Sequence, residues 1–154
     1  MIEAVRRLRP ATAVATALVL VASPACGERP EATLEIDTGQ DRVEVDVEVA
    51  DTLQERTTGL MNREELDEDA GMVFLVPEPT DGPFWMKDTL IPLSVAFWDR
   101  EGRIFRILDM EPCREETCPL YEPGGLWWGA VEVNQGFFED RGVEVGDRVR
   151  LEKR

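Results

Sequence analysis

Apolar and polar residues alternate over several short segments of the chain, and this pattern predicts β-strands. Four valines from Val43 to Val49 alternate with acidic residues, which is the period-two pattern of a strand with one face in solvent. Residues 93–98 are apolar except for Ser94 and predict a buried strand. The turn sequence at 99–102, Asp-Arg-Glu-Gly, predicts a hairpin into a partner strand at 103–109.

The remaining segments extend this pattern to most of the chain. Further stretches of strand length lie at 71–76, 84–87, 127–133 and 148–151. Asp51 or Thr52 can cap a short helix that runs through Thr58 and ends at Gly59, and residues 135–140 predict a brief helix or turn. We therefore expect a mainly β (α+β) fold, a small closed or half-open β-barrel-like domain of about six or seven short strands with two short helices.

The N-terminal segment has the pattern of an export signal. Three arginines precede an apolar run at 11–22, which has the length of a signal-peptide core and is too short to span a bilayer. The run ends in Ser-Pro-Ala-Cys at 23–26, which resembles a bacterial lipobox with Cys26 as the lipidated residue. Ser23 stands where a lipobox usually has an aliphatic residue, and the same residues also satisfy ordinary signal cleavage.

These features predict three segments: a signal peptide at 1–25, a tether at 26–33 after the lipidated cysteine, and a single β-rich domain at 34–154. The expected location is the cell membrane, as an exported lipoprotein facing the periplasm or the extracellular space. A secreted soluble protein is the alternative.

The charge of the chain limits the partners that it can bind. The 154 residues carry a net charge of −15, and because the first 25 residues hold +2, the rest carries −17. Such a surface repels phosphate backbones and anionic headgroups. We therefore expect no nucleic-acid partner and no membrane contact except through the lipid anchor. A cationic or neutral partner fits the charge, although solubility alone also explains it.

Histidine is absent from the sequence, which removes the commonest general base and the usual imidazole metal ligand. No nucleophile-base pair is recognisable, so the sequence leans away from an enzyme and predicts no metal and no cofactor. Of the three cysteines, Cys113 and Cys118 remain once Cys26 is lipidated, and they bracket a short polar loop that a disulfide would close. A redox or metal pair is the weaker alternative, because the spacing is not Cys-x-x-Cys.

Several phrases resemble the family called domain of unknown function 192. They lie at 55–63 (Glu-Arg-Thr-Thr-Gly-Leu-Met-Asn-Arg), 71–74 (Gly-Met-Val-Phe), 84–93 (Phe-Trp-Met-Lys-Asp-Thr-Leu-Ile-Pro-Leu), 131–133 followed by Gly136, 142–143 and 146–147. The resemblance runs from about Val43 to Leu151 and implies a small β-barrel-like fold, often exported, with no established reaction. Asp88 and Ser94 depart from the family, which usually has Asn and Asp at these positions.

The candidate binding rim contains six residues. Lys87 and Asp88 interrupt an apolar stretch and place a charged pair at a loop, where ligand binding is common. The alternative is structural, with Asp88 capping its own turn and Lys87 lying over an aromatic ring. The full set is Trp85, Lys87, Asp88, Thr89, Arg56 and Glu132.

Glu132 is the least expected residue of this set, because it lies within an apolar strand. Strict alternation puts Trp128 and Ala130 on its face and Trp127 on the opposite face. A carboxylate in such a strand needs a partner, which Arg56 could supply as a bidentate fork, either to secure the fold or to form a ligand site.

Three functions are compatible with these residues. The first is a non-catalytic module that binds a small molecule, a glycan or an envelope protein at the rim. The second is a hydrolase or transferase that uses Asp88 and Glu132 as paired carboxylates with Lys87 as electrostatic support. The third is a purely structural lipoprotein.

Overall fold

The computed structural model of the protein describes residues 31–153. The predicted signal peptide and Cys26 lie outside the described residues. The helices and strands, in chain order, are β1 (Ala32–Asp37), β2 (Arg42–Ala50), α1 (Leu53–Thr58), β3 (Ala70–Thr80), β4 (Phe84–Trp85), β5 (Leu93–Trp98), β6 (Ile104–Met110), β7 (Leu120–Tyr121), β8 (Trp127–Asn134), α2 (Phe137–Asp140) and β9 (Arg148–Lys153).

Seven strands form one curled sheet in the order β6-β5-β8-β3-β2-β1-β9, and β4 and β7 form a separate pair. Strands β2 and β3 are parallel, whereas the other pairs are antiparallel. A parallel pair needs a crossover connection, and here the crossover contains α1. At the two edges of the sheet, Val149 donates its backbone N–H to the carbonyl of Gly102 at 2.8 Å. The sheet is therefore a half-barrel whose edges meet at one end.

The sheet buries apolar side chains on both faces. One core lies on the first face and includes Leu34, Val45, Val73 and Val131. A second core, which includes Leu60, Phe74, Phe84, Met86, Phe97 and Trp127, lies on the other face. Strand β5 contributes to both cores, and all six of its residues are buried. The predicted buried strand at 93–98 is explained by this double coverage.

The predicted fold class is confirmed, with seven strands in the main sheet and two short helices. Helix α1 begins after Thr52, whose hydroxyl accepts from the backbone N–H of Glu55 at 3.2 Å, while the Glu55 carboxylate accepts from the N–H of Thr52 at 2.9 Å. This capping box satisfies two free N–H groups of the short helix. Strands β1 and β7 were not predicted. Strand β7 has only two residues, too few to show a period.

Within residues 31–153, no helix is both long and apolar enough to cross a bilayer.

Candidate functional site

A cavity of about 320 Å³ lies between helix α1 and the second core. Helix α1 is held over this face of the sheet by the crossover from β2 to β3. The residues that line the cavity come from α1 and the turn after it, from β3, from the loop leading into β4, from β4 and the turn after it, and from β8: Arg56, Thr57, Thr58, Gly59, Met61, Phe74, Val76, Thr80, Gly82, Pro83, Phe84, Trp85, Thr89, Trp127 and Glu132.

Glu132 is the acidic residue of the cavity lining. It lies in the middle of β8, paired with Met72 of β3 and Val95 of β5, and only 5% of its surface is exposed. No group of residues 31–153 hydrogen-bonds to its carboxyl. No buried polar side-chain atom in this part of the chain is both sealed and without a partner, so the Glu132 oxygens must open onto the cavity.

Burial sets the protonation state of this carboxyl. Desolvation raises the pKa of Glu132 from its ordinary value of 4.5 to about 8, because the charged form loses its hydration in an apolar environment. Glu132 is therefore mostly protonated at neutral pH in the empty cavity. A protonated carboxyl offers one donor and one acceptor to a ligand.

Thr89 is a second buried polar residue of the cavity. It is 5% exposed, and its hydroxyl has no hydrogen-bond partner within residues 31–153. By the same reasoning as for Glu132, the hydroxyl opens onto the cavity. The backbone N–H of Thr89 donates to the carbonyl of Met86 at 3.1 Å, which fixes the residue in its turn. The cavity thus contains two buried polar groups that have no hydrogen-bond partner within residues 31–153.

Arg56 lines the cavity from α1 but does not pair with Glu132. Its Nη1 donates to the carbonyl of Asp51 at 2.5 Å and to the carbonyl of Leu75 at 2.9 Å. The predicted fork between Arg56 and Glu132 is therefore not formed. Arg56 instead ties α1 to β3 through these two hydrogen bonds.

Gly59 ends α1 directly above the buried carboxyl. Its backbone has φ 47° and ψ −134°, a conformation that residues with a side chain rarely adopt. A Cβ atom at this position would lie 3.4 Å from Cζ of Phe74 and 3.9 Å from Oε2 of Glu132. Glycine at this position therefore allows the helix to end sharply and leaves open space over Glu132.

Aromatic rings form the apolar wall of the cavity. The ring centroid of Phe84 lies 5.0 Å from that of Phe74 and 5.6 Å from that of Trp127, both in edge-to-face geometry. The indole N–H of Trp127 donates to the carbonyl of Gly82 at 3.1 Å. These contacts satisfy the polar atom of the indole and leave a rigid apolar surface beside Glu132.

Trp127 contradicts the strict alternation predicted for β8. It packs in the second core and shares the cavity with Glu132, although alternation placed the two on opposite faces. The pairing of β3 with β8 shifts its register between Leu75 and Thr80, and such an irregularity lets a residue turn to the other face. Trp128 is half-buried, and the guanidinium of Arg100 lies 5.6 Å from its ring centroid.

The predicted rim is divided by the structure. Arg56, Trp85, Thr89 and Glu132 line the cavity, and Trp85 is 48% exposed at its edge. Lys87 and Asp88 are not among the lining residues. The structure therefore does not bring Asp88 and Glu132 together in one cavity, as a pair of catalytic carboxylates would require.

Lys87 and Asp88 make contacts within the protein. The Nζ of Lys87 donates to the carbonyl of Glu115 at 2.8 Å and lies 3.6 Å from the Asp88 carboxylate. Asp88 has φ 55°, in the left-handed region where Asn and Asp are tolerated best among residues with a side chain. Both Asn and Asp tolerate this backbone conformation, which accounts for Asp88 at a position where the family usually has Asn.

Cys113 and Cys118 form a disulfide, as predicted. The carbonyl of Cys113 accepts from the N–H of Asp88 at 2.9 Å, so the disulfide loop is tied to the turn that carries Thr89.

Ser94, the other departure from the family pattern, is buried on β5. Its hydroxyl donates to the Asp109 carboxylate at 2.6 Å and accepts from the N–H of Gly136 at 3.1 Å. The carboxylate at this place is thus supplied by the neighbouring strand β6.

Within residues 31–153, no group of three or more cysteine or carboxylate side chains is placed to hold a metal ion.

Comparison with known proteins gives a family but no function. The sequence profile of the family called domain of unknown function 192, described as an uncharacterized ACR, matches residues 34–151. No curated protein matches the chain.

Two solved structures are similar. A protein of unknown function from Novosphingobium aromaticivorans shares 31% identity and superposes with a TM-score of 0.69, covering 77% of this chain and 83% of that one. A Sinorhizobium meliloti protein, described as a candidate transcription regulator, shares 28% identity with a TM-score of 0.72, covering 78% of this chain and 92% of that one.

Proposed function

Because the chain belongs to the family called domain of unknown function 192, whose name supplies no activity, we propose from its own geometry that the domain is a non-catalytic binding module for a small molecule. The site is the cavity beneath α1. The observation that carries this proposal is the pair of buried polar groups, Glu132 and Thr89, that open onto the cavity without a protein partner.

Physical cost supports this assignment. Removing a carboxyl group from bulk water costs folding free energy, and this desolvation is what raises the pKa of Glu132. Glu132 could be an apolar residue if only packing mattered, since its strand neighbours Val131 and Val133 are fully buried. A few convergent polar groups on an aromatic wall are the usual composition of a small-molecule site.

The cavity size also fits a small ligand. About 320 Å³ lies near the lower end of the range of about 300–1,000 Å³ for ligand pockets. A glycan chain or a protein segment would have to bind through its terminal group, with the rest lying outside near Trp85. A small molecule can occupy a site of this volume without that condition.

We test the site with a panel of fragments and ligand-observed NMR on residues 26–154. Thr58→Trp places an indole at the cavity lining, and Leu53→Trp is its matched control because Leu53 lies on the same helix, is 75% exposed and does not line the cavity. We expect fragments that bind the natural protein and the Leu53→Trp variant but not Thr58→Trp. Equal binding by both variants, or no binding fragment at all, would refute the cavity as a ligand site.

We further propose that the module is exported and anchored to the cell membrane through lipidated Cys26, which the apolar run before it and the lipobox-like sequence support. Cys26→Ser should release the protein from the membrane fraction. Retention of that variant in the membrane would reject the anchor.

A further inference from the structure

We infer that the cavity selects a small organic amine, bound as its ammonium ion between the carboxyl of Glu132 and the hydroxyl of Thr89, with its apolar body against the rings of Phe74, Phe84 and Trp127. This inference rests on the proposed function, since it names the ligand class for the same cavity. It depends on the arrangement of charge and hydrogen-bonding groups around the buried carboxyl.

The first argument is the kind of partner that Glu132 lacks. The carboxyl has neighbours on three elements: α1 supplies Arg56 and Gly59, β3 supplies Met72 and Phe74, and β5 supplies Val95. Arg56 is the charged residue among the other lining residues, and its Nη1 is directed to two backbone carbonyls. An ammonium group provides three donors on a single atom, so it can serve the carboxyl and the Thr89 hydroxyl together.

The second argument is the long-range field of the domain. The chain beyond residue 25 carries a net charge of −17, which raises the local concentration of cations and lowers that of anions. Near the cavity, Glu55 and Asp51 lie at the start of α1. A cation is thus favoured in approach as well as in contact.

The third argument is the aromatic wall. Trp, Tyr and Phe rings stabilise organic cations as well as apolar groups. Phe84 lies at the centre of a ring cluster with centroid distances of 5.0 Å to Phe74 and to Phe97. An amine with an apolar body therefore satisfies both parts of the cavity.

Binding must couple to the proton of Glu132. The carboxyl has its pKa raised to about 8, so an ammonium ion displaces that proton to solvent when it binds at neutral pH. The ion pair forms with the ionised carboxylate, so affinity for a cation rises as pH approaches 8 from below. A neutral ligand that accepts a hydrogen bond from the protonated carboxyl would bind less tightly as the pH approaches 8.

Three probes with the same ring distinguish the ligand classes: benzylamine, benzyl alcohol and benzoate, which are cationic, neutral and anionic at pH 7. We measure binding by calorimetry on residues 26–154 between pH 6 and 8.5. We expect benzylamine to bind at least about tenfold more tightly than benzyl alcohol, and benzoate not to bind. The affinity for benzylamine should rise by up to about tenfold per pH unit and level off above pH 8.

Glu132→Gln keeps the shape of the protonated side chain, so this variant should lose both the preference for benzylamine and its pH dependence. Thr58→Trp should lose all binding, and Leu53→Trp should keep it. Benzyl alcohol binding as tightly as benzylamine, benzoate binding most tightly through Arg56, or an unchanged preference in Glu132→Gln would each overturn the amine assignment. If the amine assignment fails in one of these ways, loss of fragment binding in Thr58→Trp but not in Leu53→Trp would still support the cavity as a ligand site.

Discussion

At the scale of single residues, the protein retains a carboxyl group where its strand needs only packing. Glu132 is buried between Met72 and Val95, and its pKa is raised to about 8 by desolvation. The unfolded chain loses this proton near pH 4.5, whereas the folded protein keeps it to about pH 8. Between these values the folded state binds one more proton, so the free energy of unfolding falls as pH rises.

This linkage predicts the behaviour of Glu132→Gln. The free energy of unfolding of the natural protein should fall relative to that of the variant by up to about 1.4 kcal/mol per pH unit between pH 5 and 8, and the difference should become constant above pH 8. Urea unfolding of both proteins across this range measures it. A constant difference from pH 5 to 8 would mean that Glu132 titrates normally.

Gly59 is the second residue on which the site depends, because of its backbone conformation and its lack of a side chain. Gly59→Ala should lower the free energy of unfolding by about 1–2 kcal/mol, because of the strained backbone. It should also weaken fragment binding, since the methyl group narrows the space between Phe74 and Glu132. Gly39→Ala is the control: its φ is also positive, at 78°, but nothing lies within 4 Å of the added atom. If both variants bind fragments equally well, Gly59 has no role in the cavity.

At the scale of elements, the crossover helix and the turn that carries Thr89 are each held by hydrogen bonds to neighbouring segments. Helix α1 is fixed by its capping box and by Arg56, and the turn that carries Thr89 is fixed by the hydrogen bonds of Lys87 to Glu115 and of Asp88 to Cys113. Lys87 and Asp88 therefore act on the cavity through the backbone that they position.

The disulfide should accordingly affect binding as well as stability. The double variant Cys113→Ser with Cys118→Ser should lose about 2 kcal/mol or less of unfolding free energy, because the closed loop is short. Fragment affinity should fall too, since Thr89 is held less firmly. Lys87→Ala serves as a comparison that keeps the disulfide but removes the bond to Glu115. Unchanged affinity in the double variant would separate the loop from the site.

Local patterns predicted the elements better than their arrangement. The alternating valines of β2, the hairpin after β5 and the short capped helix α1 depend on neighbouring residues, so the sequence reveals them. The cavity brings together Trp127 and Glu132, which strict alternation separates, beside a register shift in the pairing of β3 with β8. No local pattern shows that shift. Arg56 was one possible partner for Glu132, but its Nη1 donates to the carbonyls of Asp51 and Leu75, a tertiary contact that the sequence does not reveal.

At the scale of the whole molecule, the sheet has an apolar core on each face, and the cavity lies on the second face, beside its core. The first face carries one apolar core, whereas on the second face the other core borders the cavity over one buried carboxyl. The net negative charge of the chain favours the approach of cations to its surface. These features are the basis of the proposed binding module and of its inferred preference for an amine.

The titration of the Glu132 side-chain carboxyl, followed by carbon NMR with and without benzylamine, tests this account most directly. We predict a midpoint near pH 8 in the free protein, in line with the raised pKa of the buried group, and a shift to clearly lower pH when benzylamine is bound. A midpoint near 4.5 in the free protein, or one that benzylamine leaves unchanged, would contradict the account.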